Sequence, residues 1–268
     1  MTHFSTITKS WKSFVTHKKL IPLAVIVDII FIYALTRLHY EVFNRASEYA
    51  LRLTDMMSEQ VQKMADAGTP ELSVLNSQAF TSAYHELLKY IGLFLAYALL
   101  IWLVCRGLVW FIAHHNAEKK VNIGIFSLKF LGMTLFWFTA FIFITFAALN
   151  LIDYSMTGLF PVIGMRMANI IAGLMYWVLA YFMFISYATI PHNVFKQTFR
   201  LGIREWKELL PAHIIGTLIL IAAVVVPTFL VKINVWLPLA FVALIALPAV
   251  AWARTLWVIA VHKVIHNE

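Results

Sequence analysis

The stretch KKLIPLAVIVDIIFIYALTRL, residues 18 to 38, decides the fold class. After its two lysines, the run Leu20 to Leu38 carries no charge except Asp28 and Arg37. That length suits a helix crossing a hydrocarbon core of roughly 30 Å, which takes about 20 apolar residues. No small-x-small cleavage pattern follows, so the run reads as a retained anchor rather than a signal peptide.

Five further runs of this kind follow, at about Leu87–Ala113, Phe126–Ile152, Leu159–Ile190, Ile214–Val231 and Trp236–Val261. Of the 268 residues, 62% are apolar and only 13% are charged, which a water-soluble chain of this length would not show. The fold expected is an all-α polytopic membrane bundle with six transmembrane helices. Pro227 and Pro248 are expected to kink the last two, and Ala240, Ala243, Ala246 and Ala249 give a small-residue stripe for close helix packing.

The formal charge of +8 does not point to nucleic acid, because the basic residues gather in short segments between apolar runs. Lys9, Lys12, Lys18 and Lys19 precede span one, and Lys119, Lys120 and Lys129 lie between spans two and three. Lys196, Arg200, Arg204 and Lys207 lie between spans four and five, and Lys263 is near the C-terminus. The positive-inside rule then puts both termini in the cytoplasm, with the chain in the cell membrane. Residues 40 to 85 fit the outer side, since Glu41, Glu48, Asp55, Glu59, Asp66 and Glu71 outnumber Arg45, Arg52 and Lys63.

Within that outer segment Phe43, Ala46, Ala50, Leu53, Met57, Val61 and Met64 recur every three or four residues, the spacing of an amphipathic helix. Gly68 suits its C-terminal cap, and Thr69-Pro70 suits the start of a second helix. An extracytoplasmic helical hairpin is therefore expected between helices 1 and 2. Its apolar stripe needs cover, from the bundle's outer ends or from a membrane or envelope partner protein.

Each even-numbered span ends in His-Asn: His115-Asn116, His192-Asn193 and His266-Asn267, which are 77 and 74 residues apart. A second mark precedes the odd-numbered spans, with Trp11-Lys12, Leu128-Lys129 and Trp206-Lys207 on short amphipathic stretches. Gly124-Ile125 and Gly202-Ile203 are spaced by 78 residues. Three parallel repeats of an amphipathic helix plus a transmembrane hairpin follow, at 1–116, 117–193 and 194–268.

The plain reading of the His-Asn pairs is helix termination, since histidine favours the negative end of the helix dipole and asparagine tolerates the left-handed residue beyond it. The sharper reading is a metal or lipid-phosphate site where the three pairs converge, helped by His114 and His262. Carboxylates nearby in sequence are limited to Glu118 and Glu268, which disfavours a supported metal site, and no metal or cofactor is assigned.

Charged residues at membrane depth are the other candidates. Asp28 in span one, Arg106 in span two and Arg254 in span six approach the same depth, and an isolated charge there costs about 2.5 to 3.5 kcal/mol. An intramembrane ion pair or triad is expected. Asn169 and Thr217 are the remaining polar residues noted at depth, a sparse set for a transport route. There is no H-E-x-x-H, G-x-S-x-G, P-loop or G-x-G-x-x-G pattern, and the single cysteine, Cys105, allows no intrachain disulfide.

These features favour a non-catalytic membrane component that organises lipids or partner proteins, or supports a transport or envelope system. A small-molecule transporter or channel is the alternative, and a membrane-embedded enzyme the third reading. The basic lead-in TKSWKSFVTHKKLIPL (residues 8–23), the long first outer loop and the helix FKQTFRLGIREWKELLP (residues 195–211) resemble the six-helix membrane domain of glycerophosphoryl diester phosphodiesterases and related inner-membrane proteins. The resemblance implies architecture only, because that domain brings no catalytic motif.

Overall fold

A computed structural model describes residues 3–67, 77–117, 122–157, 164–190, 192 and 194–267. Among these residues there is no strand. The helices are α1 (His3–Thr16), α2 (Ile21–Leu38), α3 (Asn44–Ala67), α4 (Gln78–Ile101), α5 (Gly107–Asn116), α6 (Ile123–Thr157), α7 (Met165–Ala188), α8 (Val194–Arg204), α9 (Trp206–Leu230), α10 (Trp236–Phe241) and α11 (Leu247–Asn267). Wider π-turns at His39–Phe43, Trp102–Arg106 and Val242–Ala246 join consecutive helices into longer rods. Six rods are long and apolar enough to cross a membrane: Lys18–Asp66, Gln78–Asn116, Ile123–Tyr154, Met165–Ala188, Trp206–Leu230 and Trp236–His266.

The third π-turn has an identifiable cause. Pro248 has no N–H for the carbonyl of Leu244, and its ring would strike that carbonyl in a regular helix, so the turn widens just before α11. Pro211 and Pro227 both lie inside α9, which continues through them. At Trp102–Arg106 the wide turn ends on Arg106, and Gly107 follows where an added Cβ would stand 3.3 Å from the Phe130 ring. A larger residue there would need the Phe130 ring to give by a few tenths of an ångström, so glycine eases the close approach of α5 to α6.

The chain divides into two compact units. The first comprises residues 1–28 and 106–268, with α11 at its centre, packed against α1, α5, α7 and α9. Trp257, Val258 and Val261 of α11 are buried there, as are Ile185 and Tyr187 of α7 and Leu209 of α9. A run of rings, Phe126 on Phe130 at 5.8 Å and Phe130 on Tyr187 at 4.7 Å, joins α6 to α7. Trp137 Nε1–H donates to Ser186 Oγ at 2.8 Å, and Thr134 and Tyr187 share a hydroxyl contact at 3.1 Å. Such interhelical bonds contribute on the order of 1 kcal/mol each inside a membrane. The outward residues are large and apolar: Val224 is 69% exposed and Leu244 is 76% exposed. In water that surface would be a liability, and against lipid tails it is a matched one.

The second unit, residues 29–105, is built on α3 packed against α4. Tyr49 stacks on Tyr90 at 5.7 Å, Phe43 meets Phe94 at 5.5 Å, and Arg45 donates to the Tyr90 hydroxyl. The apolar stripe expected on α3 divides in two: Ala46 and Leu53 are buried, whereas Met57 and Val61 remain exposed. Ser77 caps α4 by accepting the Phe80 N–H. The expected caps at Gly68, Thr69 and Pro70 lie outside the described residues.

One lead-in differs from expectation. Gly124, Ile125, Leu128 and Lys129 form no separate amphipathic helix but belong to the unbroken α6. Asn122 caps its start, accepting from the N–H groups of Gly124 and Ile125, and α6 then runs on to Thr157 without interruption. In the third lead-in Glu205, at φ −106° and ψ 25°, separates α8 from α9.

Candidate functional site

The densest buried charge in the first unit is the cluster Asp28, Arg106 and Arg254. Asp28 lies ten residues past Lys18, and Arg106 ten before Asn116, which sets both about 15 Å from those helix ends at 1.5 Å per residue. Arg254 Nη1 and Nη2 donate to Asp28 Oδ2 and Oδ1 at 2.8 and 2.9 Å, the two-point geometry that a guanidinium fork permits. Arg106 Nη1 donates to Oδ1 at 2.7 Å. The Asp28 side chain is 3% exposed, that of Arg254 10% and that of Arg106 21%. Two guanidinium groups against one carboxylate leave the cluster with a net charge of +1. Both carboxylate oxygens are engaged, so the arrangement ties α2, the turn before α5, and α11 together.

Of the histidines at the helix ends, His114, His192 and His266 gather around His262. The His192 and His266 rings lie 5.1 and 6.1 Å from that of His262, and His192 Nε2 comes within 3.4 Å of His262 Nδ1. His114, wholly buried, donates from Nε2 to the carbonyl of Tyr187 at 2.9 Å, and its ring is 6.2 Å from His262. His115 turns elsewhere, to His17 at 6.0 Å. The carbonyl of Asn116 accepts a hydrogen bond from the Ser13 hydroxyl. Asn193 and the side chain of Asn267 lie outside the described residues. Among the described residues, no group of three or more His, Cys, Asp or Glu is arranged to hold a metal ion.

Beside His192 a cleft of about 440 Å³ opens between α6 and the start of α8. Lys129 donates from Nζ to the His192 carbonyl at 2.9 Å at its edge. The walls include Met133, Val194 and Phe195.

Two helices of this unit, α8 and α1, carry exposed basic residues. On α8, Val194, Thr198, Leu201 and Gly202 are buried, Phe195, Phe199 and Ile203 are exposed, and Lys196, Arg200 and Arg204 are exposed on the remaining side. The division is into three sectors of roughly 120° each at 3.6 residues per turn. α1 repeats it in the same rotational order, with Ser10 and Phe14 buried, Trp11 and Val15 exposed, and Lys9 and Lys12 exposed beyond them. Trp252 Nε1–H donates to Ser10 Oγ, and Tyr181 donates its hydroxyl to the Gly202 carbonyl, so each helix is hydrogen-bonded to the bundle. On α8 the approach is close: a Cβ on Gly202 would stand 2.5 Å from the Phe182 ring.

Sequence reading missed His213. It is buried among Trp177 at 4.6 Å, Trp257 at 5.6 Å, Tyr181 at 5.3 Å and Phe184 at 6.0 Å, with Nε2 3.3 Å from the Trp177 carbonyl. Its surrounding rings come from α7 and α11, and no local pattern around Pro211 announces them.

Compared with known proteins, the chain matches no family model, no curated protein and no solved structure.

Proposed function

We propose that this chain is a non-catalytic, multi-pass component of the cell membrane that organises anionic lipid at its cytoplasmic face, where both termini lie. The observation that carries this reading is the shared three-sector layout of α1 and α8. A helix tethered on one side, apolar on the second and basic on the third is suited to lie in the interface, its apolar side among acyl chains and its lysines and arginines at headgroup level. Each such cation adds about 1 kcal/mol of attraction near an anionic surface. The same layout at the start of spans one and five supports three parallel repeats, with the lead-in of the second absorbed into α6. The exposed Met57 and Val61 of α3 make the outer hairpin the side for a membrane or envelope partner.

Lipid mass spectrometry on the protein extracted in native lipid discs tests the reading. Anionic phospholipid should be enriched over the bulk membrane, and joint replacement of Lys9, Lys12, Lys196 and Arg200 by Gln should remove the enrichment. Discs of bulk composition around the wild-type protein would overturn it. An anion transporter is the second reading, favoured by the net +1 charge of the Asp28 cluster. Uptake of a small anion by reconstituted liposomes, lost in Arg106→Gln, would establish that reading instead.

A further inference from the structure

We infer that the cleft between α6 and the start of α8 binds the phosphate of a phospholipid headgroup. This rests on the reading that the cytoplasmic face engages anionic lipid, and it names a discrete site within that face. Among the described residues the cleft is lined by Lys129, Gly132, Met133, His192, Val194 and Phe195, with no carboxylate. Its volume of about 440 Å³ is within the usual range of ligand pockets.

An ammonium group has three N–H donors, and Lys129 gives one to the His192 carbonyl, which fixes the side chain at the cleft and leaves two donors for an outside acceptor. Among the described residues Lys129 forms no ion pair. The His192 ring is oriented by His262, whose Nδ1 lies within 3.4 Å. Lys129 is six residues into α6, about 9 Å from its start at 1.5 Å per residue and three residues past Phe126, where the apolar span begins, so its long side chain can reach back to the headgroups.

The remaining walls are apolar, and Phe195 is 49% exposed with its ring against Phe136 at 5.2 Å. A phosphate at Lys129 thus has a path for its glycerol and acyl chain along Met133 and Phe195, which a free phosphate would not use. Gly132 keeps that path open, since nothing lies within 4 Å of where its Cβ would be. A choline headgroup would bring its own cation to Lys129, so phosphatidylglycerol is the better ligand and phosphatidylcholine the poorer.

The test is lipid retention, read by native mass spectrometry, after the full chain is moved to detergent from discs of phosphatidylglycerol and phosphatidylcholine. The wild-type protein should retain phosphatidylglycerol. Lys129→Gln should weaken retention about fivefold, the equivalent of the 1 kcal/mol a headgroup-level cation supplies. Gly132→Leu keeps every charge, has open space for its Cβ, and should weaken it comparably by filling the path. Lys232→Gln, a change of the same charge just past the far end of α9, should leave it unchanged. Retention unaltered in both Lys129→Gln and Gly132→Leu would overturn the site while leaving the broader lipid reading intact. No preference for phosphatidylglycerol in the wild type would overturn both. Displacement of the lipid by inorganic phosphate alone would make this a site for a soluble phosphate and overturn the lipid assignment.

Discussion

Asp28 and Arg254 are 226 residues apart in the chain and meet through two nearly parallel hydrogen bonds, of 2.8 and 2.9 Å. Arg106 completes the cluster on the same carboxylate. The charge count makes the three residues unequal. Replacing either arginine leaves a balanced pair, whereas replacing Asp28 leaves two like charges with nothing between them. Asp28→Asn should therefore cost more than Arg106→Gln or Arg254→Gln, by up to the 3 to 5 kcal/mol typical of a broken buried pair. Adding Arg254→Gln to Asp28→Asn should recover part of the loss. Thermal unfolding in detergent checks this, and strictly additive losses would sink the coupling.

The proposed orientation rests on the distribution of charge among the segments that join the spans. Glu59 on α3 and Lys196 on α8 are both exposed, so each can be replaced by cysteine and reached by a reagent. An impermeant thiol reagent applied to whole cells should label the cysteine at position 59 and spare the one at 196. The reverse pattern would invert the topology.

The three sectors of α8 should report three environments. Spin labels at 199 and 203, on its exposed apolar side, should be accessible to oxygen in the lipid, and labels at 196 and 200 to a water-soluble relaxation agent. Position 197 is unsuitable as a water probe, since Gln197 is only half-exposed and its side-chain oxygen is buried. Equal water accessibility at all four sites would count against an interfacial helix.

At Gly202 the backbone of α8 lies close against the Phe182 ring of α7. A methyl group there must displace the Phe182 ring and disturb the bond from Tyr181 to the Gly202 carbonyl. Gly202→Ala should destabilise by about 1 to 3 kcal/mol, the usual range for an overpacked contact. Phe182→Leu should restore most of it, which a melting series on the single and double variants would reveal.

Spans were readable in the sequence because a bilayer demands one property, apolarity over a fixed length, that needs no knowledge of neighbours. The depths of Asp28, Arg106 and Arg254 were readable for the same reason, as positions counted from helix ends. What could not be read depends on partners far away in the chain. The apolar periodicity of Phe195, Phe199 and Ile203 marks the side of α8 that stays exposed. The side that packs, Val194, Thr198, Leu201 and Gly202, is mixed in polarity and defined by Tyr181 and Phe182 of α7. The histidines were assigned to helix ends by their spacing, yet their clustering on His262 depends on how α11 lies beside α5 and α7. The ring of aromatic residues around His213 likewise comes from two other helices.

The separation of the charged residues along the chain also sets an order of assembly during synthesis. Arg106 follows Asp28 by 78 residues and Arg254 by 226. At about 5 to 20 residues per second, span one waits roughly 4 to 16 s for its first counter-charge and roughly 11 to 45 s for its second. The cluster can thus reach charge balance at the second span, and it becomes net positive only when the last one arrives. The final helix joins an already neutral pair, so its docking on α1, α7 and α9 has to supply the free energy that admits one more guanidinium into the membrane.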